Sequence, residues 1–227
     1  MVDRVKRRPY DNSRRQAQAR QTRQSIVEAA RQLFVAIGYP AATFAAIATA
    51  AGVSVQTVYS QFPTKRDLLK VVIDQTVAGD DEPVALSDRP EVAAMIAEPS
   101  GEGKLRLQAA YAVAILRRTA EIDQVVRSAA AVDPQAAELW RLGSRQRQTG
   151  MERFAAHLNA AGCLRDELSV ERAADRLAVL IDPELYRLTV ATKGWTPEQH
   201  QDWLAELLIT SILPKREKKR TRPRSAP

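Results

Sequence analysis

The chain has 227 residues, enough to bury a sizeable core, and a composition led by alanine, leucine and arginine that favours helix. Its single cysteine, Cys163, excludes a disulfide framework, and two histidines without metal-ligand spacing, His157 and His200, give no reason to expect a metal or a cofactor. The net charge of +7 sits at the ends: residues 1–24 carry eight basic side chains against Asp3 and Asp11, residues 214–227 carry seven against Glu217, and the body between is mildly acidic.

Basic ends on an acidic body suggest a polyanion partner or, more plainly, solubilising tails. Residues 1–20 have no apolar periodicity and read as a disordered basic arm. From Thr22, the apolar positions Ile26, Ala29, Ala30, Leu33, Phe34 and Ile37 follow helical spacing, and Gly38 and Pro40 stop the helix. Thr43 caps a second helix, Phe44 to Ala51, and Ser54 a third that runs to about Gln61. Pro63-Thr64 opens a fourth, with Leu68, Leu69, Val72 and Ile73 on one side. Residues 79–90 read as a linker. Helices are expected near 91–97, 104–119, 121–132, 134–161, 169–181, 183–192 and 196–213, so the fold class is all-α. Residues 214–227 read as a disordered basic tail. No apolar run could span a bilayer and no signal peptide is apparent, so the expected compartment is the cytoplasm, with no membrane partner.

Residues 44–62, "FAAIATAAGVSVQTVYSQF", have the spacing of a helix-turn-helix. Ala48 is small enough for two helices to approach, Gly52 sits in the turn, and Ile47, Val53, Val58 and Phe62 point inward. At about 100° per residue, Gln56 and Ser60 fall opposite Val58, with Thr57 and Tyr59 on the flanks. A helix braced on one side and polar on the other fits the DNA major groove. Gln56 suits an adenine edge, Val55 a thymine methyl, and Thr57 and Tyr59 phosphate oxygens. Lys65, at the start of the fourth helix, adds a point charge for phosphate, and Arg20 and Arg23 belong to an arm that can enter the adjacent minor groove. The plainer alternatives are a solvated polar face and an ordinary surface lysine.

With these residues in place, residues 22–73 resemble the DNA-binding region of the tetracycline-repressor (TetR) family of bacterial transcription regulators. The matching positions are "IVEAARQLFVAIGY", then Thr43, then Ile47, Ala48, Ala51, Gly52, Val53, Ser54, Thr57, Tyr59, Phe62, Lys65 and Leu68. Ala45 and Ala46 stand where the family often has acids, and Gln56 where it often has a small residue. The resemblance implies a three-helix head over 21–66 that binds double-stranded DNA through Arg20, Arg23, Thr43, Ser54, Val55, Gln56, Thr57, Tyr59, Ser60 and Lys65.

It also implies a helical ligand-binding and dimerisation domain over 67–213, a homodimer on a palindromic operator, and release by an unidentified small-molecule effector. The expected dimer face is Leu177, Leu180, Ile181, Leu185, Trp203, Leu204, Leu207, Leu208 and Ile212, unless these all serve their own core. The expected pocket is Tyr111, Trp140, Gly143, Gln146, Arg147, Gly150, Met151 and Phe154; the alternative is close packing at the glycines with a snorkelling arginine. "GEG" at 101–103 follows no strand, and Cys163 and His157 have poor dyad spacing, so an enzyme is not expected. The competing binding function is a helical DNA-compaction or scaffold protein that holds DNA non-specifically through its basic ends.

Overall fold

The computed structural model describes residues 12–214, with side chains from Arg14, and every regular element among them is helical. The order is α1 (Asn12–Ile37), α2 (Phe44–Ala51), α3 (Val55–Gln61), α4 (Lys65–Ala78), a short 3-10 turn (Leu86–Asp88), α5 (Pro90–Ala97), α6 (Gly101–Ala130), α7 (Pro134–Ala160), α8 (Val170–Leu180), α9 (Pro183–Tyr186) continuing into a π-helical stretch (Arg187–Thr192), and α10 (Pro197–Ile212). The 214–227 tail lies outside the described residues, apart from Pro214.

Two expectations about elements are corrected. The arm expected over 1–20 is helical from Asn12, and its first eleven residues lie outside the described ones. The stretch "NSRRQAQARQ" has no apolar stripe, but glutamine, alanine and arginine lose little rotamer freedom in a helix, so a helix nucleated by the core can propagate back through it. The helices expected at 104–119 and 121–132 are one helix, α6, because nothing between Thr119 and Glu121 breaks it.

The helices form two compact units. The first takes the described residues up to Val77 together with Glu121–Trp140; the second takes Ala78–Ala120 and the residues from Arg141 onward. The boundary expected at residue 66 therefore falls inside the first unit. Leu68, Leu69 and Val72 of α4 join Ile26, Phe34, Ile47, Val58 and Phe62 in one apolar cluster, which is completed by Ile122, Val126, Ala129, Ala136 and Leu139. The α1–α3 head has too little apolar surface to close its own core, and α4 with the end of α6 and the start of α7 supplies the rest. Arg66 reaches Glu138 at 3.2 Å on the edge of this cluster.

The second unit is built on Leu105, Ala109, Val113 and Leu116 of α6, Phe154, Ala155 and Leu158 of α7, Ala173, Ala174 and Leu177 of α8, and Leu204, Leu208 and Ile212 of α10. The start of α10 is a full capping box: Thr196 accepts from the Gln199 amide, and the Gln199 side chain accepts from the Thr196 amide. Among the described residues no helix is long and apolar enough to cross a membrane.

Candidate nucleic-acid interface

The α2–α3 unit follows from local chemistry. Thr43 is extended at φ −83°, and its hydroxyl oxygen accepts from the Ala46 amide at 3.1 Å. Gly52 ends α2 at φ +67°, a left-handed conformation, with its amide bonded to the Ala48 and Thr49 carbonyls. Ser54 then caps α3, its Oγ accepting from the Thr57 amide at 3.0 Å and lying 2.8 Å from Thr57 Oγ1. Neither helix carries an acid in its first turn; hydroxyls alone cap them.

The faces of α3 are sharply divided. Val58 is fully buried and Phe62 nearly so, while Val55, Gln56, Tyr59 and Ser60 are exposed and Thr57 is half-buried. Tyr59 packs its ring edge-on against Phe44, centroids 4.8 Å apart, which fixes the direction of its exposed hydroxyl. Ser60 donates to the Thr57 carbonyl at 2.8 Å, so its oxygen lone pairs face outward. The structure thus brings Ser54, Val55, Gln56, Thr57, Tyr59 and Ser60 together on one polar, exposed helix, with Thr43 exposed at the start of α2.

Three expected contacts are placed differently. Arg20 and Arg23 lie within α1 rather than on an extended arm. Arg23 is half-buried: its Nη1 donates to the Gln61 carbonyl at 3.2 Å, and its guanidinium lies 4.2 Å from the Phe62 ring centre. It joins α1 to the end of α3. Lys65 turns inward, its ammonium donating to the Tyr39 carbonyl at 2.9 Å and the Pro40 carbonyl at 3.2 Å. Burial pulls the Lys65 pKa below its ordinary value, with Asp133 partly opposing this. Burial, aided by Asp133, pushes the Tyr39 phenol up to about 12. Sequence reasoning missed both roles. The signal was weak: an arginine one turn before the core stripe, and the family position Tyr39 beside a lone proline.

The residues named for a pocket and a dimer face fall apart. Trp140 belongs to the first unit, and Gln146 is exposed. Arg147 lies 3.9 Å from Asp182, and a side chain at Gly143 or Gly150 would meet open space, so those glycines serve no close helix contact. Phe154 is core, and of the expected set Tyr111 and Met151 pack half-buried against the same cluster. The buried Gln108, not singled out from sequence, donates weakly toward Met151 Sδ at 3.9 Å. Of the dimer set, Leu177, Ile181, Leu204, Leu208 and Ile212 are buried in their own core, while Leu180, Leu185, Trp203 and Leu207 are half-buried. The apolar side chains left exposed nearby in sequence are Val179, at 65 %, and Leu188, at 41 %. A heptad-like stripe cannot say whether its own chain or a partner covers it.

Comparison with known proteins gives a consistent result. Residues 26–72 match the family model described as bacterial regulatory proteins, tetR family. An uncharacterized HTH-type transcriptional regulator, TtgW, of Pseudomonas putida is 40 % identical over 76 residues, 34 % of this chain and 54 % of the relative; the chain thus spans about half the length of the curated relative it matches. Among solved structures, a transcriptional regulator from Saccharomonospora viridis in complex with choline superposes with a TM-score of 0.67 at 20 % identity, covering 86 % of this chain and 100 % of that one. The regulator FadR from Bacillus subtilis in complex with stearoyl-CoA gives 0.67 at 17 % identity, over 83 % and 98 %. At such identities these two speak for the fold. With the match over the helix-turn-helix itself, residues 26–72 belong to the tetR family of bacterial regulatory proteins, and the chain shares the all-helical fold of these solved structures.

Proposed function

We propose that the protein is a dimeric repressor that reads a palindromic operator with α3 and leaves it when a small molecule binds the second unit. The observation that carries this reading is the α3 geometry: a helix capped by Ser54, braced by Val58 and Phe62, and presenting Gln56, Tyr59 and Ser60 outward. Gln56 pairs with a base edge, with Val55 beside it for a thymine methyl. Thr43, Thr57 and Tyr59 donate to phosphate oxygens and set the register, while the outward lone pairs of Ser60 accept from a base edge. Lys65 and Arg23 support the head from inside rather than touching DNA.

A second copy doubles the contact and makes the operator palindromic. Its docking face is drawn from the exposed Val179 and Leu188 with the half-buried Leu180, Leu185, Trp203 and Leu207. The effector site is drawn from Gln108, Tyr111 and Met151, a set with amide, phenol and thioether groups. Fold relatives solved with choline and with stearoyl-CoA support binding of a small-molecule effector. An effector acts only through a difference in its affinity for the DNA-bound and free conformations. The site of action is the cytoplasm, where the operator lies.

Selection of bound duplexes from a random pool with purified protein tests the reading. A recovered palindrome is expected. Recovery of no preferred sequence, with a steep salt dependence alone, overturns it in favour of non-specific DNA packing.

A further inference from the structure

Lys104, Gln108 and Tyr111 fall on one line of α6, since steps of four and three residues return to nearly the same angle. The line lies within the second unit and is covered: Lys104 is 3 % exposed, Gln108 is 4 % exposed, and Tyr111 is half-buried. Their hydrogen bonds do not use them up. The Lys104 ammonium donates to the Ile96 carbonyl at 2.6 Å and weakly to that of Met95 at 3.4 Å, which caps the end of α5, but among the described residues no carboxylate pairs with it. Glu98 feels its charge, yet spends a carboxylate oxygen on the amide and hydroxyl of Ser100. The Gln108 amide has only Met151 Sδ, at 3.9 Å. The Tyr111 hydroxyl is 3.5 Å from the Leu86 carbonyl, the outer limit of a hydrogen bond. On α7, His157 Nε2 is buried without a partner, and Lys104 adds to the burial that lowers the pKa of this imidazole.

We propose that this line of α6 binds the head of an amphipathic anion, a carboxylate on an aliphatic body, as the effector of the second unit. The inference rests on the reading of that unit as effector-binding given above. Ammonium, amide and phenol are donors, and imidazole is one in the right tautomer; a carboxylate, with its several lone pairs, can satisfy them together. A buried ammonium with only carbonyl partners leaves its charge unpaired in a medium of low dielectric, where an entering anion attracts it more strongly than in water. A cation there would meet Lys104 with like charge. Arg118 and Arg89 oppose Glu91 in their action on Tyr111, so an anion meets no one-sided negative field at that end. The surroundings suit an aliphatic body, since Met95, Leu105, Ala109 and Phe154 form the adjoining core with Met151 packed against it. The two methionines are unbranched thioethers that repack readily, so they can move aside for a chain.

Calorimetric titration of the full chain with decanoate, decanol and decyltrimethylammonium, each below its micelle-forming concentration, tests this. Decanoate should bind about tenfold or more tightly than decanol, with the cation weakest. Lys104→Met should bring decanoate down to the level of decanol. Gln108→Leu takes no cap from α5, and should weaken decanoate and spare decanol even where Lys104→Met fails to fold. Equal affinity for decanoate and decanol, a preference for the cation, or no binding of decanoate to the wild type overturns the site. Unchanged decanoate affinity in the folded variants does the same. Failure of the repressor reading shows differently: decanoate binds with the expected order, and the protein stays on its duplex.

Discussion

The Lys65 ammonium lies 2.9 Å from the carbonyl oxygen of Tyr39 and 4.5 Å from the centre of the same residue's ring. One side chain thereby ties the start of α4 to the turn between α1 and α2. Replacing it with alanine leaves the Tyr39 and Pro40 carbonyls without this donor. Lys65→Ala should cost about 1 to 2 kcal/mol of stability, as charge-assisted hydrogen bonds of this type do, measurable by thermal or urea unfolding. Its loss of DNA affinity should follow the unfolding and vanish at low temperature, where a lost phosphate contact would persist.

Gln56 makes the opposite case. It is exposed on α3 and braces nothing, so Gln56→Ala should leave the melting temperature unchanged. Preference at one base step should relax by about 1 to 3 kcal/mol, read by competition between operators that differ at that step. Equal weakening on operator and scrambled DNA would remove Gln56 as a reader.

Gly52 tests the turn. A methyl group there would meet nothing within 4 Å, so space is not the issue. The constraint is φ at +67°, which costs an L-residue about 1 to 2 kcal/mol. Gly52→Ala should destabilise by that amount without a new clash, and Gly52→Asn should cost less, because asparagine tolerates the left-handed region. Equal losses for the two would point to packing instead.

His200 is fully buried, with Nδ1 2.7 Å from Thr189 Oγ1 and Nε2 without a hydrogen-bond partner among the described residues. Thr189 Oγ1 also lies 2.9 Å from the Leu185 carbonyl and 3.1 Å from that of Tyr186. Its one hydrogen goes to a carbonyl, so Nδ1–H of the histidine donates to the hydroxyl oxygen and Nε2 is the unpaired acceptor. Burial holds the His200 pKa below the ordinary 6.5. Below about pH 6.5 the unfolded chain therefore takes up a proton that the folded chain refuses, and stability falls as the medium is acidified. The slope approaches about 1.4 kcal/mol per pH unit for this group, and His200→Phe should remove that share while His157, also lowered by burial and by Lys104, keeps its own. Denaturant titrations between about pH 5 and 8 check this.

Val179 and Leu188 should behave as contact residues of a dimer. Val179→Asp with Leu188→Asp should leave the fold intact and shift the sedimenting mass toward one chain. Operator affinity should fall at the same protein concentrations. An unchanged mass distribution would move the interface elsewhere.

Much of the head was legible because its signals are local. Thr43 and Ser54 are caps, Gly52 is a stop, and Val58 and Phe62 fall on one side, all within a few residues of what they act on. The second unit was legible as helices but not as surfaces. Leu177 and Leu204 look like Val179 and Leu188 in sequence, and only packing separates the buried pair from the exposed one. The reach of Arg23 to Gln61, across 38 positions, and of Lys65 to Tyr39, across 26, carries no local pattern at all. The sharing of α6 and α7 between two cores was hidden for the same reason, since each stripe reads simply as apolar.

The helices α2 and α3 begin on hydroxyl caps instead of carboxylates, and this belongs to a longer gap. From Ala29 to Arg66 the sequence contains no aspartate, glutamate, histidine or cysteine, the side chains that change charge between about pH 4 and 8.5. The surface offered to a duplex is thus electrically silent across the whole range a cell experiences. Acid stress reaches this protein through titratable groups outside that stretch, while the grip itself stays blind to protons.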